Sequence, residues 1–255
     1  MGAATTNVDT GLTCTVLGSA DAFCSGGHPH AAYLLETGGS TVMVDCGPTV
    51  LLSLKQRRFD TARLDAVIVS HFHGDHFGGL PFLLLEYMWE RVRDRPFVIA
   101  GPLGIEQRVW TLFRALYPDV MPEHLPFELE FRELQPEEST TIAGFDVLPV
   151  RVPHQADDVA LALRVTVGGK RLFYSGDTPW CDRFLELADG VDLFLCECTG
   201  YDDPHGKHID WRTLERFVPQ LSCRRLVLVH LGREMRERCG ALGVECATEG
   251  MRIEL

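Results

Sequence analysis

The sequence predicts a protein of the α/β or α+β class. Apolar runs typical of strands alternate with segments of helical periodicity along most of the 255 residues. The glycine pairs at 38–39 and 168–169 each separate two such runs, as expected for β-hairpins. No linker, repeat or low-complexity tract divides the chain, so we predict a single domain over residues 1–255.

Strands and helices are predicted in turn along the first half of the chain. Thr49 is the expected N-cap of the first helix, because a threonine hydroxyl can accept a hydrogen bond from a free backbone N–H. The predicted strands are Thr13–Gly18, Ala31–Leu35, Thr41–Asp45, Ala66–Val69 and Phe97–Ala100. The predicted helices are Thr49–Arg57, Leu80–Val92 and Ile105–Leu116.

The second half is predicted to contain more strand than helix. It follows a proline-rich segment, Tyr117–Pro126, that we expect to be irregular. The predicted strands are Phe127–Phe131, Thr141–Val150, Val159–Val167, Leu172–Ser175, Asp192–Cys196 and Leu226–Val229. The predicted helices are Asp182–Ala188 and Trp211–Val218.

The densest group of metal-binding residue types lies on the loop between the fourth predicted strand and the second predicted helix. His71, His73, Asp75 and His76 fall within six positions. Imidazole nitrogen and carboxylate oxygen are ligands that zinc favours. His71 and His73 are two positions apart, so an extended backbone directs both the same way. Gly74 then lets the chain turn, and the loop can serve two metal ions.

Three further candidates follow later predicted strands. His154, Asp177 and His230 each come at or directly after an apolar run. Taken singly, Asp177 could be a turn residue and His230 could hydrogen-bond inside the core. Taken together, the three repeat the arrangement of the first loop and favour a shared metal centre.

The composition narrows the classes of function. The net charge of −12 argues against broad contact with nucleic acid, although metal ions could still attract a small anion. No apolar run approaches the ~20 residues of a membrane helix, and residues 1–13 contain no evident signal peptide. The nine cysteines are scattered and form no Cys-x-x-Cys pair, which favours a reduced, cytoplasmic protein.

The His-x-His-x-Asp-His spacing at 71–76 resembles the signature of the metallo-β-lactamase fold hydrolases. The resemblance implies a four-layer αββα sandwich, in which two mixed sheets pack face to face with helices outside. It also implies two metal sites that share one bridging carboxylate. The implied ligands are His71, His73 and His154 for one ion, Asp75, His76 and His230 for the other, and Asp177 between them.

The same resemblance implies a hydrolytic mechanism. Paired metal ions in such sites lie ~3.5–4 Å apart and share a hydroxide that attacks the substrate. The redox flavo-diiron branch typically has Glu where this chain has His73. His73 therefore favours zinc and hydrolysis, while manganese and iron stay open as alternatives.

A closer resemblance covers the region from His154 to His230. Residues 174–178 and 188–199 are similar to ribonuclease Z and to the related cyclic phosphodiesterases of phosphonate breakdown. In that branch the Glu of a His-Glu-Ala-Thr segment pairs with a later histidine that is not a ligand. Glu197 and His208 match these positions, which implies that they and Asp75 are catalytic. The alternative is that His208 is a solvated loop residue.

Two departures from ribonuclease Z argue against tRNA as the substrate. The later histidine is followed by Ile209 and Asp210 instead of Ser-Thr, and no long basic, glycine-rich arm is present. We therefore predict a phosphodiesterase that cleaves a small or nucleotide-like diester through a metal-bridging hydroxide. A lactonase or carboxylic ester hydrolase is the alternative, and a non-catalytic binding protein is a third hypothesis.

The sequence leaves a homodimer open. His28 and His30 either border the pocket or lie at the surface.

Overall fold

The computed structural model describes residues 11–120, 125–155, 159–202 and 205–255. Residues 1–10, which carried part of the signal-peptide expectation, and 121–124 of the predicted irregular segment lie outside this range. In chain order the strands of the first sheet are β1 (Thr13–Gly18), β2 (Ala32–Glu36), β3 (Thr41–Val44), β4 (Ala66–Ile68), β5 (Phe97–Gly101) and β6 (Leu129–Glu133). The strands of the second sheet are β7 (Thr140–Ile142), β8 (Phe145–Val152), β9 (Ala160–Val167), β10 (Lys170–Tyr174), β11 (Leu193–Glu197), β12 (Leu226–Val229) and β13 (Glu245–Cys246).

The last strand, β14 (Arg252–Glu254), returns to the first sheet and pairs with β1. The first sheet then has the order β14-β1-β2-β3-β4-β5-β6, and the second has the order β13-β12-β11-β10-β9-β8-β7. Both sheets are mixed: β3 to β6 are mutually parallel, as are β10 to β13, and the remaining pairs are antiparallel.

Short helices cover the outer faces of both sheets. Successive side chains of a strand point to opposite faces of the sheet, so each sheet has an inner face towards the other sheet and an outer face towards the helices. One buried cluster lies between the inner faces of the two sheets. Each of the other two clusters lies between one outer face and the helices that cover it. The helices are α1 (Val50–Gln56), α2 (Gly74–Phe77), α3 (Leu80–Leu85), α4 (Ile105–Leu116), α5 (Phe184–Leu187), α6 (Trp211–Leu214) and α7 (Arg233–Arg238). The predicted αββα sandwich is confirmed.

Several local predictions differ from the structure. The predicted strand Thr141–Val150 is two strands, β7 and β8, because Ala143 and Gly144 adopt φ of 48° and 85° and form a hairpin turn. The predicted helix Leu80–Val92 is shorter, since α3 is followed by one π-helical turn, Glu86–Glu90. Thr49 precedes α1 but makes no capping hydrogen bond, because its hydroxyl accepts one from the backbone N–H of His30.

The cysteine prediction is wrong for one pair. Cys239 and Cys246 form a disulfide, although they are seven positions apart and form no recognisable motif. The chain between them folds back so that their Cα atoms lie 6.0 Å apart, within the span of a disulfide. The other seven cysteines are free. Among the described residues, none of the helices has the length and apolarity that crossing a membrane requires.

The strand directions bring several carboxyl ends to one edge of the sandwich. Strands β8, β10, β11 and β12 run the same way, because β9 is antiparallel to both β8 and β10. The loop after β4 meets this edge, where the backbone N–H of Leu161 donates to the carbonyl of Ser70 across the two sheets. Every predicted metal ligand lies on a loop or helix turn that begins there.

Candidate metal centre

The contiguous ligand candidates lie on the turn between β4 and α2. His71 and His76 are fully buried, whereas His73 is exposed at the rim. Asp75 and His76 occupy the first turn of α2, so they point to a different place from His71 and His73. Gly47 permits this packing: a Cβ at that position would lie 2.1 Å from the carbonyl oxygen of Asp75.

The three separate candidates lie at the carboxyl ends of the second sheet. His154, Asp177 and His230 follow β8, β10 and β12, and all three are buried. His230 adopts φ of 53°, an uncommon conformation for a residue other than glycine. Such backbone strain persists only where the surrounding structure enforces it.

The structure brings all seven predicted ligands into two groups that share Asp177. Within each group the ligand atoms lie within 4.8 Å of one another. The first group is His71, His73, His154 and Asp177, and the second is Asp75, His76, Asp177 and His230. This is the division that the family resemblance implied.

One carboxylate oxygen faces the imidazoles of four predicted ligands. Oδ2 of Asp177 lies 3.2 Å from Nε2 of His76 and 3.2 Å from Nε2 of His230. The same oxygen lies 3.8 Å from Nε2 of His71 and 3.9 Å from Nε2 of His154. Adjacent ligand atoms of a tetrahedral zinc site are separated by about 3.3 Å, so these groups fit divalent cations.

Buried polar atoms without partners support the same fit. Nε2 of His71, Nε2 of His76 and Oδ1 of Asp177 are buried and make no hydrogen bond. An orphaned buried acceptor costs about 1–3 kcal/mol. Three such atoms directed into one cluster are explained if they are ligands, because a bound cation satisfies all of them.

Asp45 supports the first loop and was not predicted as a site residue. It follows β3 with φ of 60° and is fully buried. Its carboxylate accepts from the backbone N–H of Ser70 at 2.7 Å and from Nδ1 of His76 at 2.8 Å. The hydroxyls of Ser70 and Tyr174 donate to it at 2.9 Å each. Binding Nδ1 leaves Nε2 of His76 directed at the metal position.

Glu197 supports the opposite side of the centre. It ends β11, is fully buried, and accepts from Nδ1 of His208 at 3.0 Å and from the backbone N–H of Thr178 at 2.6 Å. Thr199 donates to its other oxygen at 2.9 Å and contacts Nδ1 of His230 at 2.8 Å. Glu197, His208 and His230 could also hold a metal, but these hydrogen bonds already occupy the carboxylate.

Burial and charge set the protonation states of the centre. Burial lowers the pKa of His154 to about 4 and holds the pKa of His71 well below its usual value. Both rings are therefore neutral, as metal ligation requires. Burial alone would raise the pKa of Asp177, but His230 and His76 hold it well below its usual value. The carboxylate is thus ionised, and its charge can balance a cation.

His28 and His30, on the loop after β1, lie outside both ligand groups. Nδ1 of His28 contacts Glu249 at 2.6 Å. His30 is half-buried between Thr49 and Cys24, with Nε2 at 3.2 Å from the cysteine sulfur. Burial lowers the pKa of His30, which is consistent with a neutral ring.

The family follows from comparison with known proteins. A protein-family model described as "Anti-Pycsar protein Apyc1" matches residues 12–246. The chain belongs to this family. Among curated relatives, ribonuclease Z of Lachnoclostridium phytofermentans is 31% identical over 212 residues, which are 65% of this chain and 67% of that protein. The protein Rv1339 of Mycobacterium tuberculosis is 30% identical over 226 residues, 85% of this chain and 80% of that protein.

Solved structures agree with this family membership at the level of the fold. The metallo-β-lactamase fold protein YhfI of Bacillus subtilis has a TM-score of 0.77 and 24% identity, covering 96% of this chain and all of that one. Human tRNase Z, short form, has a TM-score of 0.76 and 24% identity, covering 94% and 98%. The predicted resemblance to metallo-β-lactamase fold hydrolases near ribonuclease Z is confirmed.

Proposed function

We propose that this metallo-β-lactamase fold hydrolase is a dinuclear phosphodiesterase that cleaves a small or nucleotide-like diester. The observation that carries the proposal is the position of His208. Its Nδ1 is held by Glu197 at 3.0 Å and lies 3.9 Å from Asp177, the residue common to both ligand groups. An imidazole beside a metal centre, oriented by a buried carboxylate, is suited to donate a proton to a leaving group.

Seven residues of the two ligand groups would hold the ions, and zinc suits their nitrogen and oxygen atoms best. When bound, two such cations make water acidic enough to act as a nucleophile at neutral pH and neutralise phosphoryl charge. Asp75 and Asp177 supply the negative charge that retains the cations. Burial alone would raise the pKa of Asp75, but the imidazoles of His230 and His76, at 3.3 and 3.2 Å from its Oδ2, hold the pKa below its usual value.

The role of His208 follows from the chemistry of the leaving group. Cleavage breaks the phosphorus–oxygen bond to an alcohol, and an alkoxide leaves only if it receives a proton. Glu197 stabilises the protonated ring, in the way that a carboxylate stabilises an imidazolium next to it. The ring is about a quarter exposed, with 24% side-chain accessibility, so it can reach a bound substrate and be reprotonated from solvent.

Charge and relatives support a small phosphate-containing substrate. The net charge of −12 disfavours a long polyanion such as tRNA, since counterion release needs many basic contacts. The relative from Lachnoclostridium phytofermentans is named ribonuclease Z, which supports phosphodiester chemistry at a related site. The cytoplasmic location and the choice between monomer and homodimer stay predictions of the sequence.

The test compares substrates whose leaving groups need a proton with substrates whose leaving groups do not. Purified protein is analysed for zinc, manganese and iron and is then assayed with bis(p-nitrophenyl) phosphate, cyclic nucleotides and lactones. We expect about two metals per chain. His208→Gln should lower turnover of ribose-linked diesters by about 10²–10⁴-fold. Turnover of bis(p-nitrophenyl) phosphate should fall much less, because p-nitrophenolate leaves without a proton.

His205→Gln is the matched control, since His205 is an exposed histidine on the same loop. It should retain wild-type turnover on every substrate. Equal losses for both leaving groups in His208→Gln would remove the proposed acid role. Lactone opening without diester cleavage would overturn the substrate class, and failure to bind metal after reconstitution would overturn the proposed function as a whole.

A further inference from the structure

Thr199 lies between the metal ligands and the Glu197–His208 pair. Its hydroxyl oxygen is 2.9 Å from Oε2 of Glu197 and 2.8 Å from Nδ1 of His230. The side chain therefore contacts one predicted metal ligand and the carboxylate that orients the predicted acid. None of the roles described above requires this contact.

The Thr199 hydroxyl also lies 3.1 Å from the backbone carbonyl of His230, so its single proton has two oxygen acceptors within reach. A threonine hydroxyl carries one proton, and an ionised carboxylate can only accept. If the hydroxyl donates to Glu197, its oxygen is left to accept, and Nδ1 of His230 must then be the donor. In a neutral His230 ring the proton then lies on Nδ1, so its other nitrogen, Nε2, is unprotonated.

The position of Nε2 fits this assignment. It lies 3.3 Å from Oδ2 of Asp75 and 3.2 Å from Oδ2 of Asp177, inside the second ligand group. Only an unprotonated nitrogen can bind a metal, so the hydroxyl selects the tautomer that the site needs.

The backbone of Thr199 is held on both sides. Its N–H donates to the carbonyl of Ile209 at 3.1 Å, next to His208, and its carbonyl accepts from Gly232 at 3.0 Å, close to His230. This fixed backbone places the hydroxyl between the two functional loops. His230 has a left-handed φ of 53°, and a support of this kind is what such a conformation requires.

We propose that Thr199 is a positioning residue that lets one carboxylate, Glu197, orient both the metal ligand His230 and the acid His208. The chain runs from Nδ1–H of His230 to the Thr199 hydroxyl, then to Glu197, which also accepts from Nδ1–H of His208. The proposal deepens the proposed function and rests on it for the role of His208. The orientation of His230 stands on geometry alone.

The test uses Thr199→Val, which removes the hydroxyl at constant shape, and Thr199→Ser, which restores it. Thr61→Val is the matched control, because Thr61 is also buried and its hydroxyl also donates to a carboxylate, that of Glu86, which lies outside both ligand groups. Thermal unfolding of each variant checks that it is folded. Metal affinity is measured by competition between the protein and a chelator for Zn²⁺.

We expect Thr199→Val to lose about 10–100-fold in affinity for one of two zinc ions, as is typical when a support of a ligand is removed. Thr199→Ser and Thr61→Val should retain the wild-type affinity. Ring ¹⁵N chemical shifts, assigned with His230→Gln, should show Nδ1-protonated His230 in the wild type and a mixture of tautomers in Thr199→Val.

The outcomes separate this proposal from the proposed function. Wild-type zinc affinity and unchanged His230 nitrogen shifts in Thr199→Val would overturn the positioning role, whatever happens to turnover. A wild-type protein that cleaves no diester would overturn the phosphodiesterase proposal, while the nitrogen shifts would still decide the role of Thr199.

Discussion

Two buried carboxylates support the centre, one from each sheet, and they do so differently. Asp45 contacts the predicted ligand His76 directly and reaches His71 through Ser70, whose hydroxyl lies 3.0 Å from Nδ1 of His71. Glu197 reaches the ligand His230 only through a hydroxyl and contacts His208 directly. Asp45 thus contacts only predicted metal ligands and their neighbours, whereas Glu197 is shared between the predicted metal binding and the proposed proton transfer.

This difference separates two tasks within one centre. A residue bonded directly to a ligand sets the ligand's tautomer, so its loss should be seen mainly in metal affinity. A residue that also holds an acid should affect turnover even when the metals stay bound. Single substitutions at these carboxylates and at Asp177 test this distinction.

The largest effect on metal binding is expected at Asp177, the residue that both ligand groups share. Asp177→Asn removes the ionised oxygen that faces His76 and His230 at 3.2 Å each. Both ligand groups lose their shared carboxylate, so we expect zinc affinity to fall by about 100-fold or more at both positions. Metal analysis after dialysis against a weak chelator measures this, and full retention of both ions would contradict the shared role.

Asp45→Asn should weaken metal binding by about 10–100-fold, because His76 loses a charged partner on Nδ1. Asp65→Asn is the matched control. Asp65 lies just before β4, on the same sheet, and accepts from the backbone N–H of Thr41 at 2.8 Å. It should cost stability without changing zinc affinity. Equal zinc losses in the two variants would mean that Asp45 acts only through the fold.

Glu197→Gln should weaken zinc binding less, by about tenfold, because Thr199 stands between it and His230. Its larger effect should be on turnover of ribose-linked diesters, where it should match His208→Gln. Zinc affinity and kcat should be measured in parallel for Glu197→Gln and Asp45→Asn. We expect the first variant to lose mainly turnover and the second to lose mainly zinc affinity. A zinc loss in Glu197→Gln as large as in Asp45→Asn would erase the distinction.

The smallest effect is expected at a carboxylate outside the centre. Burial opposes ionisation of Glu249, but hydrogen bonds from His28 and Ser19 hold its pKa below the usual value. Its stabilisation is therefore present at neutral pH and is lost as the pH falls below the unfolded-state value of about 4.3.

Glu249→Gln should accordingly cost less than about 1 kcal/mol at pH 7, because Glu249 and His28 are both partly exposed to solvent. The difference from wild type should shrink as the pH falls from 5 towards 3, as followed by urea unfolding. Zinc affinity should not change. A difference that grows on acidification would mean that the sign of the pKa shift is reversed.

The first loop could be found from the sequence because its ligands are neighbours. His71 and His73 are separated by one residue, so their shared direction follows from an extended backbone. Asp45 could not be found this way. It is 31 positions from His76 and meets it only because β3 and β4 are adjacent parallel strands that end together. Thr199 and His230 are likewise joined by the adjacency of β11 and β12.

The fold class, most of the strands and helices, and the residue types of the centre could be predicted from the sequence. These depend on periodicity and on spacing over a few positions, which are local properties of the chain. The family resemblance implied two ligand groups around Asp177, but the tertiary structure was needed to show that they close to within 4.8 Å and that Asp45 orients His76. Hydrogen bonds between residues far apart in sequence depend on strand order and register, and no local pattern encodes them.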